Sequence, residues 1–247
     1  MKKIFVLNGS RQKKGNTATF IKRITERLDE DVFEVEYAHP QDYKIAPCLG
    51  CSKCFLNTKC VSDDDLEKLQ KKILESDVFI IASPVYMHYM TADLKLIIDK
   101  LSWWAHTFRL QGKPVVILST CCSNGHGTVI SPLSKLITHM GGNVIAGSNA
   151  AQEPDQLKNE EWMEEVSSEI ASRIRKYAFI PHDSNEDIEM VFKYTRPGFL
   201  KYREQLMKDE AMPKYEEYEY WNNTGMINFD TFEDYLKEKY KCEEVVV

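Results

Sequence analysis

Lys2-Lys3-Ile4-Phe5-Val6-Leu7-Asn8-Gly9-Ser10-Arg11-Gln12-Lys13-Lys14-Gly15-Asn16-Thr17-Ala18-Thr19-Phe20 is the stretch that decides the fold. Its apolar run, Ile4 to Leu7, is short and unbroken, as in a strand buried on both faces. A polar loop bounded by Gly9 and Gly15 follows, and a helical pattern begins at Thr17. The loop therefore brings free backbone N–H groups, the Ser10, Asn16 and Thr17 side chains and the Arg11, Lys13 and Lys14 charges to the positive end of a helix dipole. A phosphate monoester suits such a loop. No Gly-Lys-Ser/Thr follows at the spacing of a nucleoside-triphosphate loop, and no G-x-G-x-x-G fingerprint of a dinucleotide site is present.

Composition sets the frame around that loop. The 247 residues, 43% apolar and 28% charged, suit one α/β domain plus an addition. A net charge of −6, with no basic stripe carrying interleaved aromatics, argues against nucleic acid as a partner. No run approaches the roughly 18 apolar residues of a membrane span, and the chain enters its first strand without an apolar leader, so a cytoplasmic protein with no membrane partner is expected. The seven cysteines are then reduced thiols or ligands rather than disulfides.

Working outward, Thr17 to Leu28 reads as a helix with an apolar stripe at Phe20, Ile21, Ile24 and Leu28, and Val32 to Tyr37 as a strand near a sheet edge. The buried strands Asp77 to Ala82 and Lys113 to Ser119 and a fifth at Asn143 to Gly147 alternate with helices at 65–74, 94–101, 132–140 and 160–177. Ser62-Asp63-Asp64-Asp65 reads as a solvated, acidic helix start. Pro84 ends the third strand and turns the chain, which puts Ser83 to Thr91 at the ligand-binding edge of a doubly wound sheet. Trp103 and Trp104 cannot share one helix face, so at least one is expected to meet a partner subunit, the ligand or the C-terminal region. His126 follows the fourth strand, either as an exposed loop residue or as an aid to proton transfer.

Cys48, Cys51, Cys54 and Cys60 form a C-x2-C-x2-C-x5-C pattern within thirteen positions. All-cysteine ligation at such tight spacing suits a [4Fe–4S] cluster. Zinc, which more often takes paired C-x2-C knuckles with a longer spacer, and bare redox-labile or packing thiols are the other readings.

Gly-Ser, then four residues, then Gly-Asn-Thr, together with Ser83-Pro84-Val85-Tyr86 followed by Met90-Thr91-Ala92, resembles the flavodoxin-like, NAD(P)H-dependent FMN reductase family over residues 1–177. The cysteine pattern narrows the resemblance to the iron–sulfur flavoprotein branch. The likeness implies a flavodoxin-like, doubly wound, five-stranded parallel sheet with FMN as cofactor. Ser10, Arg11, Lys13, Gly15, Asn16, Thr17 and Ala18 would hold the phosphate, Pro84, Val85, Tyr86 and Met87 would line the ring, and Thr120, Ser123, Asn124 and Gly125 would meet its pyrimidine end. His88 and Met90 would shape the substrate side. The implied activity is electron transfer from NAD(P)H through FMN to a quinone, flavin, nitro compound or protein acceptor, in a homodimer or homotetramer and without a catalytic side chain. An FMN and [4Fe–4S] electron carrier, a non-catalytic flavin-binding redox sensor and a zinc module without cofactor are the competing readings.

Residues 178–247 change in character, rich in tyrosine and acidic residues. Helices are expected at 187–194, 200–208 and 232–240, with breaks at Pro197-Gly198 and Met212-Pro213. The segment carries too little continuous apolar pattern for a separate core and is expected to drape over the domain or a partner subunit.

Overall fold

In a computed structural model that describes residues 1–209, 211–213 and 215–244, the opening apolar run is strand β1 (Lys2–Asn8). The other expected strands form as β2 (Phe33–Ala38), β3 (Val78–Pro84), β4 (Pro114–Cys121) and β5 (Asn143–Ala151). All pair in parallel, in the order β2-β1-β3-β4-β5. β4 is buried along its whole length, whereas β2 mixes buried and exposed residues and lies at an edge, as its polar residues require. The winding reverses between β1 and β3, and that reversal opens a crevice at the strands' C-terminal ends.

The helices that accompany this sheet are α1 (Asn16–Thr25), α2 (Lys53–Asn57), α3 (Leu66–Glu75), α4 (Ala92–Lys100), α5 (Trp103–Thr107), α6 (Gly127–His139) and α7 (Glu160–Tyr177). Strand side chains alternate between the two faces. Ile4, Val6, Ile80 and Leu118 meet Phe20, Ile21 and Ile24 of α1 and Ile170 and Ile174 of α7. Phe5, Leu7, Ile81 and Ile117 meet α3, α4 and α6 through Leu69, Leu94 and Leu133. Each fully buried side chain of this kind contributes about 1.5–3 kcal/mol. No helix among the described residues is long and apolar enough to cross a membrane. The side chains of six of the seven cysteines are described, all as free thiols.

The C-terminal region departs from expectation in two ways. Pro197 does not break it: α8 (Glu186–Lys208) runs straight through. Ile188 and Phe192 before the proline and Phe199 and Leu200 after it pack on one cluster, and that shared burial overrides the single lost backbone hydrogen bond. With α9 (Glu216–Asn223) and α10 (Phe232–Glu244), α8 also builds a core that the sequence pattern does not suggest, around Trp221, Met226, Ile227 and Phe232. Its centre is Phe108, lent by the flavodoxin-like domain, with rings of Phe192, Trp221 and Phe232 at 5.6, 5.7 and 5.1 Å. The tail meets the domain through Phe108, and its residues 210, 214 and 245–247 lie outside the described ones.

Two smaller points matter for the site. Trp103 and Trp104 are both buried within the chain, at 3% and 1% exposure, and their helix packs on α9 of the C-terminal region, one of the three partners expected. The α6 helix begins at Gly127, ahead of Pro132, because a proline in the second turn removes only one intrahelical bond.

Candidate functional site

The loop after β1 is built around backbone. Gly9 donates its N–H to Ala82 O at 2.7 Å and accepts from Thr91 Oγ1 at 2.7 Å, which ties it to β3 and to the start of α4. A Cβ at Gly9 would sit 2.9 Å from Leu94 Cβ, so this approach needs glycine. Ser10 N donates to Asn8 Oδ1 (3.1 Å) and Ser10 O meets His39 Nδ1 (2.7 Å). The helix that follows starts at Gly15 with no side-chain cap, unlike α4, α7 and α8, which Thr91, Asn159 and Asn185 cap. Its first N–H groups, around Asn16, Thr17 and Ala18, are therefore left for an external acceptor. Asn8 adds a buried amide nitrogen without a partner at the floor of the loop. The residues present fit a phosphate.

Two of the expected phosphate contacts have other partners. Arg11 forms a bidentate pair with Asp93 at 2.6 and 2.8 Å, and Lys13 meets Asp42 at 2.7 Å. Both carboxylates are held below their ordinary range: Asp93 first by the Arg11 hydrogen bond, and Asp42 by its Lys13 and His39 hydrogen bonds, which outweigh the upward push of burial. Neither acid carries a motif, and each lies far away in sequence.

The loops after β3 and β4 close on the first. Thr17 and Thr120 share a hydrogen bond of 2.7 Å between their hydroxyls, and Val85 N donates to Thr120 O at 2.7 Å. The chain then makes a two-residue turn in which Tyr86 and Tyr89 exchange backbone hydrogen bonds of 2.9 and 3.0 Å. Met87 and His88 sit at φ 47° and 60°, the region such hairpin turns demand, at a cost of about 1 kcal/mol or more each for residues with a Cβ. Met87 is 96% exposed at the tip, while Met90 is buried in the core and cannot shape a substrate side. Gly125, at φ 84°, lies so close to this loop that a Cβ would come within 2.7 Å of Val85 Cγ1. Ser123, Asn124 and His126 are exposed on the same rim. His126 Nδ1 lies 3.0 Å from Asn149 Nδ2 and 3.7 Å from Cys121 Sγ. Asn149, which donates to that sulfur at 3.3 Å and accepts from Ser119 Oγ at 2.8 Å, has no sequence signal.

The cysteines occupy a second place in the fold, on a loop pinched at its neck. Asp64 accepts from Ala46 N and Leu66 N, both at 3.0 Å, and pairs with the buried Lys100 ammonium; Asp65 accepts from Lys44 N at 2.8 Å. Asp64 is thus a buried staple and not the solvated helix start that the acidic run suggests. Beyond the neck, Cys48 and Cys51 are exposed and Cys54 and Cys60 half-buried. Burial, together with the neighbouring Cys60 and Cys48, raises the Cys54 thiol above its ordinary range. In type, four thiols fit an iron–sulfur cluster; in position they do not yet, since among the described residues no three His, Cys, Asp or Glu side chains converge on a metal site.

The extension clamps the far side of this loop. Phe55 of α2 stacks on His106 at 4.7 Å, His106 Nδ1 meets Glu217 of α9 at 3.1 Å, and Thr58 Oγ1 donates to Glu216 at 2.8 Å. The Glu217 hydrogen bond raises the His106 pKa above its ordinary 6.5, against the opposing effect of burial. A raised histidine pKa stabilises fully below the unfolded value and loses that contribution as pH rises through the folded one. The stability gap between wild type and Glu217→Gln in urea unfolding is therefore expected to be widest below pH 6.5 and to narrow toward alkaline pH. With the ring 51% exposed, solvent screening keeps the effect under about 1 kcal/mol. A gap that does not change with pH would refute the charged pair.

The sequence pattern of the NADPH-dependent FMN reductases matches residues 2–154, the segment that holds all three loops. The chain belongs to that family. This FMN reductase is thereby an oxidoreductase that uses FMN, and the loop edge is where the family pattern falls. It is 29% identical over 232 residues to an iron-sulfur flavoprotein of Archaeoglobus fulgidus, covering 92% of this chain and all of that one. It is also 30% identical over 151 residues to the iron-sulfur flavoprotein of Methanosarcina thermophila, with 60% and 78% covered. The first likeness is too long to end with α7 and so reaches into the extension. These relatives place the chain in the iron–sulfur flavoprotein branch. In fold, it resembles RosB with its bound riboflavin-phosphate intermediate (TM-score 0.60, 15% identity, 87% of this chain and 90% of that one). It also resembles an apo NADH:FMN oxidoreductase (TM-score 0.51, 22% identity, 72% and 89%).

Proposed function

We propose that this FMN reductase takes electrons from NADH or NADPH and passes them to a quinone, a flavin, a nitro compound or a protein acceptor. The observation that carries this reading is the uncapped start of α1, set between two interlocked loops at the reversal of the sheet. Bound FMN supplies the hydride chemistry itself. Ser10, Asn16, Thr17 and the N–H groups from Asn16 to Ala18 receive its phosphate beside Gly15, and Asn8 offers a further donor from below. Arg11 and Lys13 brace the loop through Asp93 and Asp42. Pro84, Val85, Tyr86 and Met87 on one side, and Thr120, Ser123, Asn124 and Gly125 on the other, bound the ring. The exposed Tyr86, Met87 and Tyr89 suit burial by a second copy of the chain, in a homodimer or homotetramer. Free thiols suit the reducing cytoplasm.

Flavin content of the purified protein and its oxidation of NADH and NADPH with quinone, nitro and flavin acceptors test the reading. One FMN per chain with turnover is expected. A yellow protein inert toward both nicotinamides would instead be a flavin-binding redox sensor, and a protein unable to take up FMN would overturn the proposal.

A second reading is favoured by the cysteine spacing, by the pinned neck of the loop and by the names of the relatives: Cys48, Cys51, Cys54 and Cys60 close on a [4Fe–4S] cluster. Such a cluster moves electrons singly. Iron and sulfide analysis with an absorption spectrum after anaerobic purification decides it. Zinc at one per chain would mark a structural metal, and metal-free protein with four titratable thiols in this loop would leave them as bare thiols.

A further inference from the structure

Helix α2 is a single turn that carries Cys54 and stands between two residues with left-handed backbone, Ser52 at φ 57° and Thr58 at φ 43°. Residues with a Cβ avoid that region, so the turn is strained at both ends. No α2 residue is fully buried, and contacts from other elements must hold it. They reach it from two sides. From the domain, the Ser102 hydroxyl is hydrogen-bonded to the Cys54 thiol and His106 stacks on Phe55. From the extension, Glu216 accepts from the Thr58 hydroxyl at 2.8 Å, at one of the two strained positions. Glu217 holds the His106 ring at 3.1 Å, and the Trp221 indole donates to His106 O at 2.7 Å.

The two halves of the cysteine pattern are thereby unlike. Cys54 and Cys60 are half-buried and pack against the main core, and Cys60 shares with Glu216 the lining of an open cavity of about 540 Å3. Cys48 and Cys51 are exposed. Among the described residues, the only hydrogen bond made by 47–51 stays inside that stretch, from Gly50 N to Cys48 Sγ at 3.5 Å.

We propose that α9 is the positioning element of the cysteine site: from the extension it keeps Cys54 and Cys60 as a preset half, and the free arm of Cys48 and Cys51 closes onto them when a thiophilic metal centre binds. This rests on reading the four thiols as metal ligands. A preset pair leaves less to be ordered on binding than four free thiols would, and a free arm leaves the site open for loading. The coupling is reciprocal: if docked α9 favours the metal, the metal favours docked α9 by the same factor.

Titration of the anaerobic, reduced, metal-free full chain with Cd2+, read by thiolate-to-cadmium charge-transfer absorption and by amide hydrogen exchange, tests the proposal. Saturable binding with slower exchange in 216–223 is expected. Thr58→Val, which keeps the branched shape and removes only the hydroxyl, and Glu216→Ala should each weaken Cd2+ binding about threefold to tenfold. The double variant should lose no more than either alone. Thr58→Val decides the matter if Glu216→Ala disturbs α9. Cys48→Ser/Cys51→Ser should bind Cd2+ more weakly yet still slow exchange in 216–223, whereas Cys54→Ser/Cys60→Ser should lose that effect. Absence of Cd2+ binding by the wild type would sink the reading of the thiols as ligands and the proposal with it. Binding with wild-type affinity in Thr58→Val and Glu216→Ala, or with exchange in 216–223 unaltered, would overturn the role of α9 alone.

Discussion

Lys100→Met is expected to destabilise the protein by about 3–5 kcal/mol, because it strands the Asp64 carboxylate in the interior without its counter-ion. The Lys100 side chain is 0% exposed and that of Asp64 5%. Methionine fills nearly the same space, so the loss would be electrostatic more than steric. Urea unfolding would measure it. Burial pushes the Asp64 pKa up, but hydrogen bonds from Lys100, Ala46 and Leu66 outweigh it and hold the group below 3.8. A depressed carboxylate pKa stabilises above the unfolded value and loses that contribution as pH falls through the folded one. Without Lys100 that advantage shrinks, so the deficit of the variant should narrow as the pH approaches about 4. The double variant Asp64→Asn/Lys100→Met removes both charges and should recover part of the loss. Because Asp64 also bonds both ends of the loop neck, Lys100→Met should expose residues 47–62 to proteolysis ahead of the sheet. A loss under about 1 kcal/mol would mean that the pair is neither buried nor a staple.

Gly125→Val is expected to weaken FMN binding tenfold or more and to cost about 1–3 kcal/mol of stability. Two effects act together: a β-branched residue at φ 84° is strained, and its Cβ would meet Val85 Cγ1 at 2.7 Å. The only relief is to part the β3 and β4 loops, the two between which the ring is proposed to lie. Quenching of FMN fluorescence on titration with apoprotein reads the affinity. Gly127→Ala serves as the control two residues on, since nothing lies within 4 Å of its Cβ and its φ is not positive. That change should leave affinity unaltered and stability within about 0.5 kcal/mol. Wild-type affinity in folded Gly125→Val would remove the β4 loop from the flavin site.

The architecture was legible because its signals are local. Unbroken apolar runs such as Ile4–Leu7 and Val78–Ala82 name buried parallel strands, the mixed pattern of β2 names an edge, and glycine and proline punctuation shows where loops leave the sheet. The family pattern lies in those same loops, so fold and cofactor class were readable together. What the loops' charged residues do was not. Arg11 and Lys13, read as phosphate ligands, pair in the structure with Asp93 and Asp42, 82 and 29 residues away, partners that no local pattern names.

The sequence by itself determined the strand order's raw material, the phosphate-sized loop and the run of four thiols, since each depends on neighbours a few residues apart. Only the tertiary structure decided that Asp64 is a buried staple closed by Lys100, that Pro197 lies within one helix and that the tail has its own core around Phe108. It also set Arg109 between the Trp103 and Tyr220 rings. The reason is physical: a charge, a proline or an aromatic ring takes its energetic meaning from what surrounds it once water is excluded, and those surroundings come from distant parts of the chain.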